Sequence, residues 1–481
     1  MTAAGGRAEA PSPARGLAAQ LDFILSPEAA RALKHAATWR ALLPRAGRRA
    51  LFAEIWVIDG EGRAMALAPG PWPETIEGRA FGAAIGYRRR GQSRAIPGLT
   101  LERAEGAFVA GVKAGRFFTL SLSGAAPVVA EAARALAGEC ALFAAAGSLA
   151  SLAAWRVLGI DVPRACAPPP LTYESELTTA ARCLLEAQAT LLRARIETLS
   201  AMLAALRLGA PHEAEPVHQT RVALRRLRAT IAVFAPLGPP LLAEIGSELR
   251  AFGHVLGRAR EWDVFETGIA HDLVRRFPAD AAALHLAALA GAKRRAAYDG
   301  LDAWLAGEAA RRLLVDLAVL PLLVHGEGGA ALPRTLGAFA SAALEKRARR
   351  VRRAAALAAL EAEPLHRLRL DAKHLRYLGE MFAPCFSSRR SARFIRRLAA
   401  LQDWLGALND AAMTARLMHD IAHEGGDGGE TGGEMGEESG AEIMARARGM
   451  ALGFAAAVTP RAMSKAVRAL ERLQGLKPFW L

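Results

Sequence analysis

The stretch 217-VHQTRVALRRLR-228 combines four arginines and one histidine with regularly spaced apolar residues. At 100° per residue, four of the five basic side chains of a helix with this sequence fall within about 80° of arc, next to an apolar arc. The basic positions are His218, Arg221, Arg225 and Arg228, and the apolar positions are Leu224, Leu227, Ile231 and Phe234. The stretch therefore predicts a helix whose basic stripe borders its buried face.

A second stretch, 365-LHRLRLDAKHLR-376, repeats this pattern. Aligning the two histidines pairs six positions at one constant separation of 148 residues. The pairs are His218 with His366, Arg221 with Arg369, Arg225 with Lys373, Arg228 with Arg376, Phe234 with Phe382 and Pro236 with Pro384. Further along the chain, LGRARE (256–261) matches LGALND (405–410) at a separation that is one residue larger. Such self-similarity indicates a duplicated structural unit.

The duplication predicts an all-α domain at 173–475, built of two pseudo-symmetric antiparallel helical bundles. Long alanine- and leucine-rich amphipathic segments fill this range. The two halves are expected at about 173–300 and 334–475. The acidic, glycine-rich stretch 423–440 contains eight glycines and six acids, and this composition predicts a loop because it cannot bury a core.

The residues before this domain predict a different architecture. Residues 1–15 are small, polar and proline-containing, which predicts a disordered tail. Within 16–165, segments such as 51–68 and 115–124 carry aromatic and β-branched residues around glycine-rich turns, which indicates strands and hairpins in an α+β domain. The proline-rich stretch 166–172 predicts a linker.

The charge balance favours an anionic partner. Lysine and arginine exceed aspartate and glutamate by 62 to 47, a net charge of +15. Four cysteines lie far apart, which predicts neither a disulfide framework nor a zinc site. The sequence shows no signal peptide and no apolar run of membrane-spanning length. We therefore expect a cytoplasmic protein with no membrane span, no cofactor and no resident metal.

One arginine-rich helix face is usually a solvated surface, but two faces with the same spacing favour a shared binding site. Guanidinium groups present paired donors that match phosphate oxygens. A row of them at helical pitch suits a repeating anion such as a phosphate chain. A dense anion nearby also favours the protonated form of the two histidines.

Nucleic acid is the competing partner on charge grounds. The sequence carries no helix-turn-helix, zinc-finger or RNA-binding signature, and only Tyr377 places an aromatic ring directly beside a stripe. Binding to a nucleic-acid backbone remains an open alternative. An enzyme acting on phosphates is the other alternative, although no Walker loop and no acidic metal cluster accompany the stripes.

The two stripes and their companion motifs resemble the CHAD domain, the conserved histidine α-helical domain. The resemblance rests on VHQTRVALRRLR with FAP, LGRAREWDVF, LHRLRLDAKHLRYLGEMF and LQDWLGALND, in that order. It implies two helical bundles around a basic cavity that binds inorganic polyphosphate without an established catalytic step. The family's histidine and basic positions fall here on His218, Arg221, Arg225, Arg226, Arg228, His366, Arg369, Lys373 and Arg376. Two positions depart from the family, since Glu261 replaces a usual aspartate and His374 a common basic residue.

The N-terminal part is similar to a degenerate CYTH domain, the triphosphate tunnel fold that often precedes a CHAD domain. LDFILSPEAARAL (21–33) resembles the opening strand and helix of that fold, and 142–159 resembles its closing segment. The ExExK signature, which supplies metal-binding carboxylates and a lysine, is lost here, since the matching positions are Ala18, Gln20 and Asp22. Leu149 stands where a lysine is expected. The resemblance therefore implies a scaffold or an interaction surface without metal-dependent triphosphate hydrolysis.

Together these features predict a non-enzymatic protein that binds inorganic polyphosphate in a basic cavity between two repeated His/Arg helices. The alternatives are a metal-dependent triphosphate hydrolase of the tunnel family and a non-specific nucleic-acid binder. Association with polyphosphate granules and the oligomeric state are left open.

Overall fold

The computed structural model describes residues 18–25, 27–42, 50–58, 64–67, 85–110, 113–140, 142–144, 171–324, 332–357, 362–424 and 439–481. Four features predicted from the sequence fall wholly or largely outside these ranges. They are the tail 1–15, the segment 142–159, the linker 166–172 and the loop 423–440.

The described residues form seven strands and thirteen α-helices. The strands are β1 Ala18–Leu25, β2 Ala50–Ile58, β3 Ala64–Leu67, β4 Ile85–Ile96, β5 Leu99–Ala110, β6 Lys113–Ala125 and β7 Phe143–Ala144. The first helices are α1 Pro27–His35, α2 Ala37–Leu42 and α3 Ala126–Glu139. The remaining helices are α4 Leu177–Arg207, α5 Glu215–Phe234, α6 Pro240–Phe265, α7 His271–Arg276, α8 Ala281–Ala306, α9 Glu308–Val319, α10 Leu336–Leu357, α11 Ala362–Phe382, α12 Ser388–Glu424 and α13 Gly440–Gln474.

The N-terminal unit is built on an antiparallel sheet in the order β3-β2-β4-β5-β6-β1-β7. The sheet confirms the α+β prediction, and β2 and β3 pair as the antiparallel hairpin predicted at 51–68. In β1, Ala19, Leu21 and Phe23 are buried, whereas Gln20, between Ala19 and Leu21, is exposed. This alternation is typical of a sheet covered on one face, and α1 and α3 provide that cover.

A short segment distant in sequence also belongs to the N-terminal unit. The chain divides into one unit of Met1–Cys166 with Arg311–Leu323 and a second of Ala167–Ala310 with Val324–Leu481. The sequence predicts a helical domain at 173–475 with halves at about 173–300 and 334–475, and Arg311–Leu323, between these halves, groups with the sheet. Within this unit, Arg134 of α3 forms an ion pair at 2.6 Å with Asp316, a carboxylate that is almost fully buried.

The second unit is helical, as predicted, and polar residues define where several helices begin. Glu176 caps α4, because its carboxylate accepts the backbone N–H groups of Thr178 and Thr179 at 2.9 and 2.7 Å. These bonds lower the pKa of Glu176 to about 2 against the opposing effect of burial. Ser439 and Glu442 form a reciprocal capping box at the start of α13.

The segments that precede α4 and α10 pair with each other through a short antiparallel bridge. Leu177 donates its backbone N–H to the carbonyl oxygen of Arg334 at 3.0 Å, and Leu336 donates to that of Ser175 at 2.8 Å. The bridge therefore joins the beginnings of the two predicted halves. Among the described residues, no helix combines the length and the apolar composition needed to cross a membrane.

Candidate functional site

Helix α5 carries the first basic stripe. Pro216 lies in its first turn, where its missing N–H breaks no intrahelical hydrogen bond. Leu224 and Leu227 are almost completely buried. Because the basic residues lie beside this buried arc, they are half-buried, and none of them projects freely into solvent.

Helix α11 carries the second stripe in the same relation to its core. Leu368 and Leu375 are buried, and the basic residues between them are half-buried. These are Arg369 and Lys373, followed by Arg376 one turn later. His366, the counterpart of His218, is exposed.

The two stripe helices pack against each other. The rings of Phe234 on α5 and Phe382 on α11 meet edge to face, with centroids 6.2 Å apart. Arg226 of α5 donates through Nη2 to Oε2 of Glu380 on α11 at 3.0 Å. The duplicated motif therefore places its two copies side by side.

Four basic side chains from the two helices lie within electrostatic range of one another, and we call them the cationic cluster. They are Arg221 and Arg225 of α5 with Arg369 and Lys373 of α11. Within the described part of the chain, none of the four forms an ion pair or a side-chain hydrogen bond. Among the described residues, the cluster is therefore a concentration of positive charge without an ion-paired partner, although the charge of Glu261 acts on Arg221 and that of Asp410 on Arg369 and Lys373.

The guanidinium groups of the cluster are partly withdrawn from water. Burial, followed by the charge of Arg225, lowers the pKa of Arg221 to about 10. The pKa of Arg369 is lowered by the same two causes in the same order. The Nε atoms of Arg221 and Arg369 are buried and have no hydrogen-bond partner among the described residues. Unsatisfied buried donors are costly, so these groups are suited to an anionic ligand.

Lys373 is the cluster member whose protonation is most affected. Its pKa is lowered to about 7, first by burial. Three arginines then contribute in the same direction, Arg225, Arg369 and Arg221, while Asp410 opposes them. The amine of Lys373 therefore titrates near neutral pH, which an ordinary lysine does not do.

A glycine of helix α6 provides the room that Arg221 needs. A Cβ atom at Gly257 would lie 2.9 Å from Nη1 of Arg221. At Gly406, which occupies the matching place in the second half, a Cβ atom would meet no other atom within 4 Å. Gly257 of the LGRARE motif therefore leaves space for a cluster arginine, whereas its counterpart Gly406 has no such neighbour.

Further basic groups extend the cluster on both sides. His218 has a lowered pKa, first through burial and then through the charge of Arg260 on α6. Arg228 has a lowered pKa through burial and then through Arg250. The pKa of His374 is lowered by burial and then by Arg347 of α10, with Arg228 among the later causes.

Two predicted site residues form ion pairs with one shared carboxylate. Glu380 binds Arg226 at 3.0 Å and Arg376 at 2.7 Å. Arg376 also donates to Gln402 at 3.2 Å. A cavity of about 190 Å³ adjoins the first of these ion pairs. It is lined by Gln188, Arg226, Ala229, Thr230, Tyr377, Glu380 and Met381.

The motif REWDVF at the end of α6 serves both the site and the core. Arg260 faces the cluster, as shown by its effect on Arg221 and His218. Asp263 is fully buried and accepts the hydroxyl of Tyr298 at 3.0 and 3.1 Å. Burial raises the pKa of this carboxyl to about 6.

The structure therefore brings together most of the predicted basic positions, but in unequal roles. Arg221, Arg225, Arg369 and Lys373 form the cluster, and His218 and Arg228 flank it. Arg226 and Arg376 are tied to Glu380. Arg260 and Glu380 are not among the residues predicted from sequence, although Arg260 lies in LGRAREWDVF and Glu380 in LHRLRLDAKHLRYLGEMF.

The N-terminal strand β1 contains the positions matched to the ExExK signature. Ala18, Gln20 and Asp22 pair in register with Ala125, Ser123 and Ser121 of β6. Within the residues that the structure describes, no group of three His, Cys, Asp or Glu side chains could hold a metal ion.

Comparison with known proteins identifies the class of the helical region. A model of the CHAD domain family matches residues 190–419. This match agrees with the helical fold of the second unit and with its two basic stripes. The chain carries a CHAD domain at residues 190–419.

A solved structure supports the same fold. The CHAD domain from the plant Ricinus communis aligns with a TM-score of 0.52 and 23% identity, covering 66% of this chain and 98% of that one. PptA from Streptomyces chartreusis aligns with a TM-score of 0.45 and 19% identity, covering 62% of this chain and all of that one. No curated protein matches the chain.

Proposed function

We propose that this protein binds inorganic polyphosphate through the cationic cluster and does not transform it chemically. The observation that carries the proposal is the convergence of Arg221, Arg225, Arg369 and Lys373 without a paired counter-ion among the described residues. Gathering like charges in a partly desolvated place costs free energy. A bound polyanion supplies the missing counter-charge and thereby offsets that cost.

The spread of the basic groups favours a chain of anions over a single one. His218 with Arg260 extends the cluster on one side, and Arg228 with Arg250 extends it on another. Guanidinium groups bind phosphate oxygens through paired donors. A phosphate chain offers such oxygens at every unit and therefore satisfies several arginines at once. The CHAD resemblance points to the same ligand.

The proposal includes a pseudo-twofold relation between the two halves. The contact between Phe234 and Phe382, which are equivalent in the repeat, supports this relation. So does the bridge between the segments that begin the two halves. Such a relation accounts for the approach of both stripes to one site.

We assign the N-terminal unit a non-catalytic role as a degenerate CYTH-like scaffold, because β1 has Ala18 and Gln20 where the signature has glutamates. This part of the proposal is tested by measuring phosphate release from tripolyphosphate with magnesium or manganese. Robust turnover would overturn the non-enzymatic assignment in favour of a triphosphate hydrolase.

The binding proposal is tested by calorimetric titration of the full chain with long-chain polyphosphate. Competition by DNA and RNA, each at two salt concentrations, distinguishes polyphosphate from nucleic acid, since backbone binding is strongly weakened by salt. We expect polyphosphate to bind and to resist competition at physiological salt. Equal competition by nucleic acid would contradict polyphosphate selectivity.

A further inference from the structure

A cavity lies next to the cationic cluster, one turn further along the two stripe helices. Its volume is about 190 Å³, and residues of α4, α5 and α11 line it. Among the lining residues, Ala229 follows Arg225 by one turn of α5, and Tyr377 follows Lys373 by one turn of α11. Residues four apart lie on the same face of a helix, about 6 Å apart along its axis. The same faces of α5 and α11 therefore lead from the cluster into the cavity.

Gln188 of α4 contributes an unpaired amide to this cavity. Its Oε1 atom is buried and has no hydrogen-bond partner among the described residues. Its Nε2 atom likewise donates to no group in the described part of the chain. A buried acceptor without a donor costs free energy. A ligand that presents a donor beside an acceptor satisfies both ends of this amide.

The charged residues at the cavity wall disfavour both a phosphate and an ammonium group inside it. Arg226 and Glu380 pair there at 3.0 Å. The carboxylate of Glu380 repels a further phosphate, and the guanidinium of Arg226 repels a cation. Tyr377 and Met381 add aromatic and apolar surface to the lining. The cavity is therefore suited to a neutral ring with polar edges.

The size of the cavity agrees with a ring-shaped ligand group. In another protein, a cavity of about 150 Å³ holds a benzene ring, so about 190 Å³ leaves room for a ring system with polar atoms. Five of the seven lining residues are half-buried, so the cavity opens to solvent and a substituent on the ring can leave it. Among nucleobases, adenine is the one that a glutamine amide pairs with through both of its ends, at N6 and N7.

We propose that this cavity binds the adenine base of a nucleoside polyphosphate whose phosphates lie on the cationic cluster. Oε1 of Gln188 accepts a hydrogen bond from the exocyclic amine of the base, and Nε2 donates to the ring nitrogen N7. The ring of Tyr377 provides a surface on which the base stacks. The inference rests on the proposed function in using the cluster for the phosphates, and it adds adenine nucleotides to the class of ligands.

The test is a calorimetric titration of the full chain with ATP, tripolyphosphate and purine riboside triphosphate, in the presence of a chelator. All three ligands contain a chain of three phosphates, but only ATP has the exocyclic amine. Tripolyphosphate carries at least as much negative charge as ATP, so charge alone does not favour ATP. We expect ATP to bind about tenfold more tightly than either of the other two ligands. If ATP binds no more tightly than tripolyphosphate or purine riboside triphosphate, the adenine site is disproved.

Gln188→Leu identifies the residue that recognises the base. Leucine removes the unpaired amide without adding a charge, so the fold should be retained, which circular dichroism checks. We expect ATP affinity to fall about tenfold and tripolyphosphate affinity to stay unchanged. Gln219→Leu is the matched control, because the amide of Gln219 on α5 already donates to Glu215 and lies outside the cavity. Unchanged ATP affinity in Gln188→Leu, or an equal loss in both variants, would overturn the inference.

Failure of this inference is distinguishable from failure of the proposed function. Long-chain polyphosphate has no base, and its affinity is titrated on the same variants. If polyphosphate binds but ATP has no advantage over tripolyphosphate, the adenine site alone is disproved. If polyphosphate does not bind, the proposed function fails, whereas ATP binding that depends on Gln188 would still support the adenine site.

Discussion

Phe234 and Phe382, which stand 148 residues apart and are equivalent in the repeat, pack edge to face with ring centroids 6.2 Å apart and ring planes at 88°. Both rings are fully buried. Phe339 of α10 stacks on Phe234 at 5.5 Å, so one aromatic group joins three helices. Because these phenylalanines end the two stripe helices, their contact holds the carboxyl ends of α5 and α11 together.

Removing the cationic cluster should abolish polyphosphate binding and leave the fold intact. The variant replaces Arg221, Arg225, Arg369 and Lys373 by alanine. Charged groups in an open site contribute less to stability than core side chains do. Calorimetric titration measures the loss of affinity, and circular dichroism confirms the helical content.

The control variant removes four positive charges elsewhere. Arg389, Arg390, Arg393 and Arg397 are exposed on α12, and their replacement by alanine changes the net charge equally. We expect this variant to retain most of its affinity. An equal loss in both variants would mean that binding follows net charge and not the cluster.

Gly257→Ala should weaken polyphosphate binding, whereas Gly406→Ala should not. The new methyl group at position 257 would lie 2.9 Å from Nη1 of Arg221 and must displace that guanidinium. At position 406 the space is open, and alanine should stabilise helix α12 by about 0.5–1 kcal/mol. Titration and thermal unfolding of both variants check these expectations, and unchanged affinity in the first would show that the Arg221 position does not matter.

Glu380→Gln should strengthen polyphosphate binding severalfold. The carboxylate of Glu380 holds Arg226 and Arg376 at 3.0 and 2.7 Å, and its neutral replacement frees both guanidinium groups for the ligand. Because more phosphates are then contacted, the dependence of affinity on salt should become steeper. Titrations over a series of salt concentrations measure both effects.

Glu345→Gln is the matched control for this prediction. Glu345 of α10 likewise binds two arginines, Arg349 at 3.0 Å and Arg352 at 2.7 Å, outside the cluster. Glu345→Gln also removes one negative charge, but this variant should bind polyphosphate with an affinity near that of the parent protein. Comparable gains in both variants would indicate a general charge effect.

Polyphosphate affinity should fall as pH rises above about 7. A bound polyanion favours the ammonium form of Lys373, whose pKa is about 7 in the free protein. Binding above this pH must therefore take up a proton, and affinity declines with each further rise in pH. Titrations from about pH 6 to 9 measure this decline, and Lys373→Arg should reduce it because arginine stays charged.

Lys373 should also make the free protein less stable at low pH than at high pH. Its folded-state pKa of about 7 lies below the ordinary value of 10.5, so the unfolded chain binds more protons between these two values. The contribution of Lys373 to the free energy of unfolding therefore rises with pH across that window. We expect Lys373→Met to stabilise the free protein below pH 7, with a difference from the parent protein that narrows towards pH 10. Denaturant unfolding at several pH values provides the measurement, and a difference independent of pH would contradict the shifted pKa.

The stripe helices were predictable from sequence because their signals are local. The apolar spacing of Leu224, Leu227 and Phe234 predicts which face of α5 is buried, and the burial of all three confirms it. The hairpin of β2 and β3 follows in the same way from strand-forming residues around a turn. Neither inference needs information about distant parts of the chain.

The partners of the site residues could not be predicted in this way. Nothing in the sequence indicates that Glu380 binds Arg226, 154 residues away. The ion pair between Arg134 and Asp316, which joins Arg311–Leu323 to the N-terminal unit, spans 182 residues. Such contacts depend on how helices cross, and helix periodicity does not specify crossing.

The sequence by itself determined that this protein has two copies of a basic stripe beside a buried face, because residue spacing and helical pitch are properties of the chain. The tertiary structure alone decided which of the stripe residues share one electrostatic environment. Arg221, Arg225, Arg369 and Lys373 remain without a paired counter-ion among the described residues, whereas Arg226 and Arg376 both pair with Glu380. The reason is physical: charge interactions depend on distance and burial, and both are set only when α5 and α11 pack together.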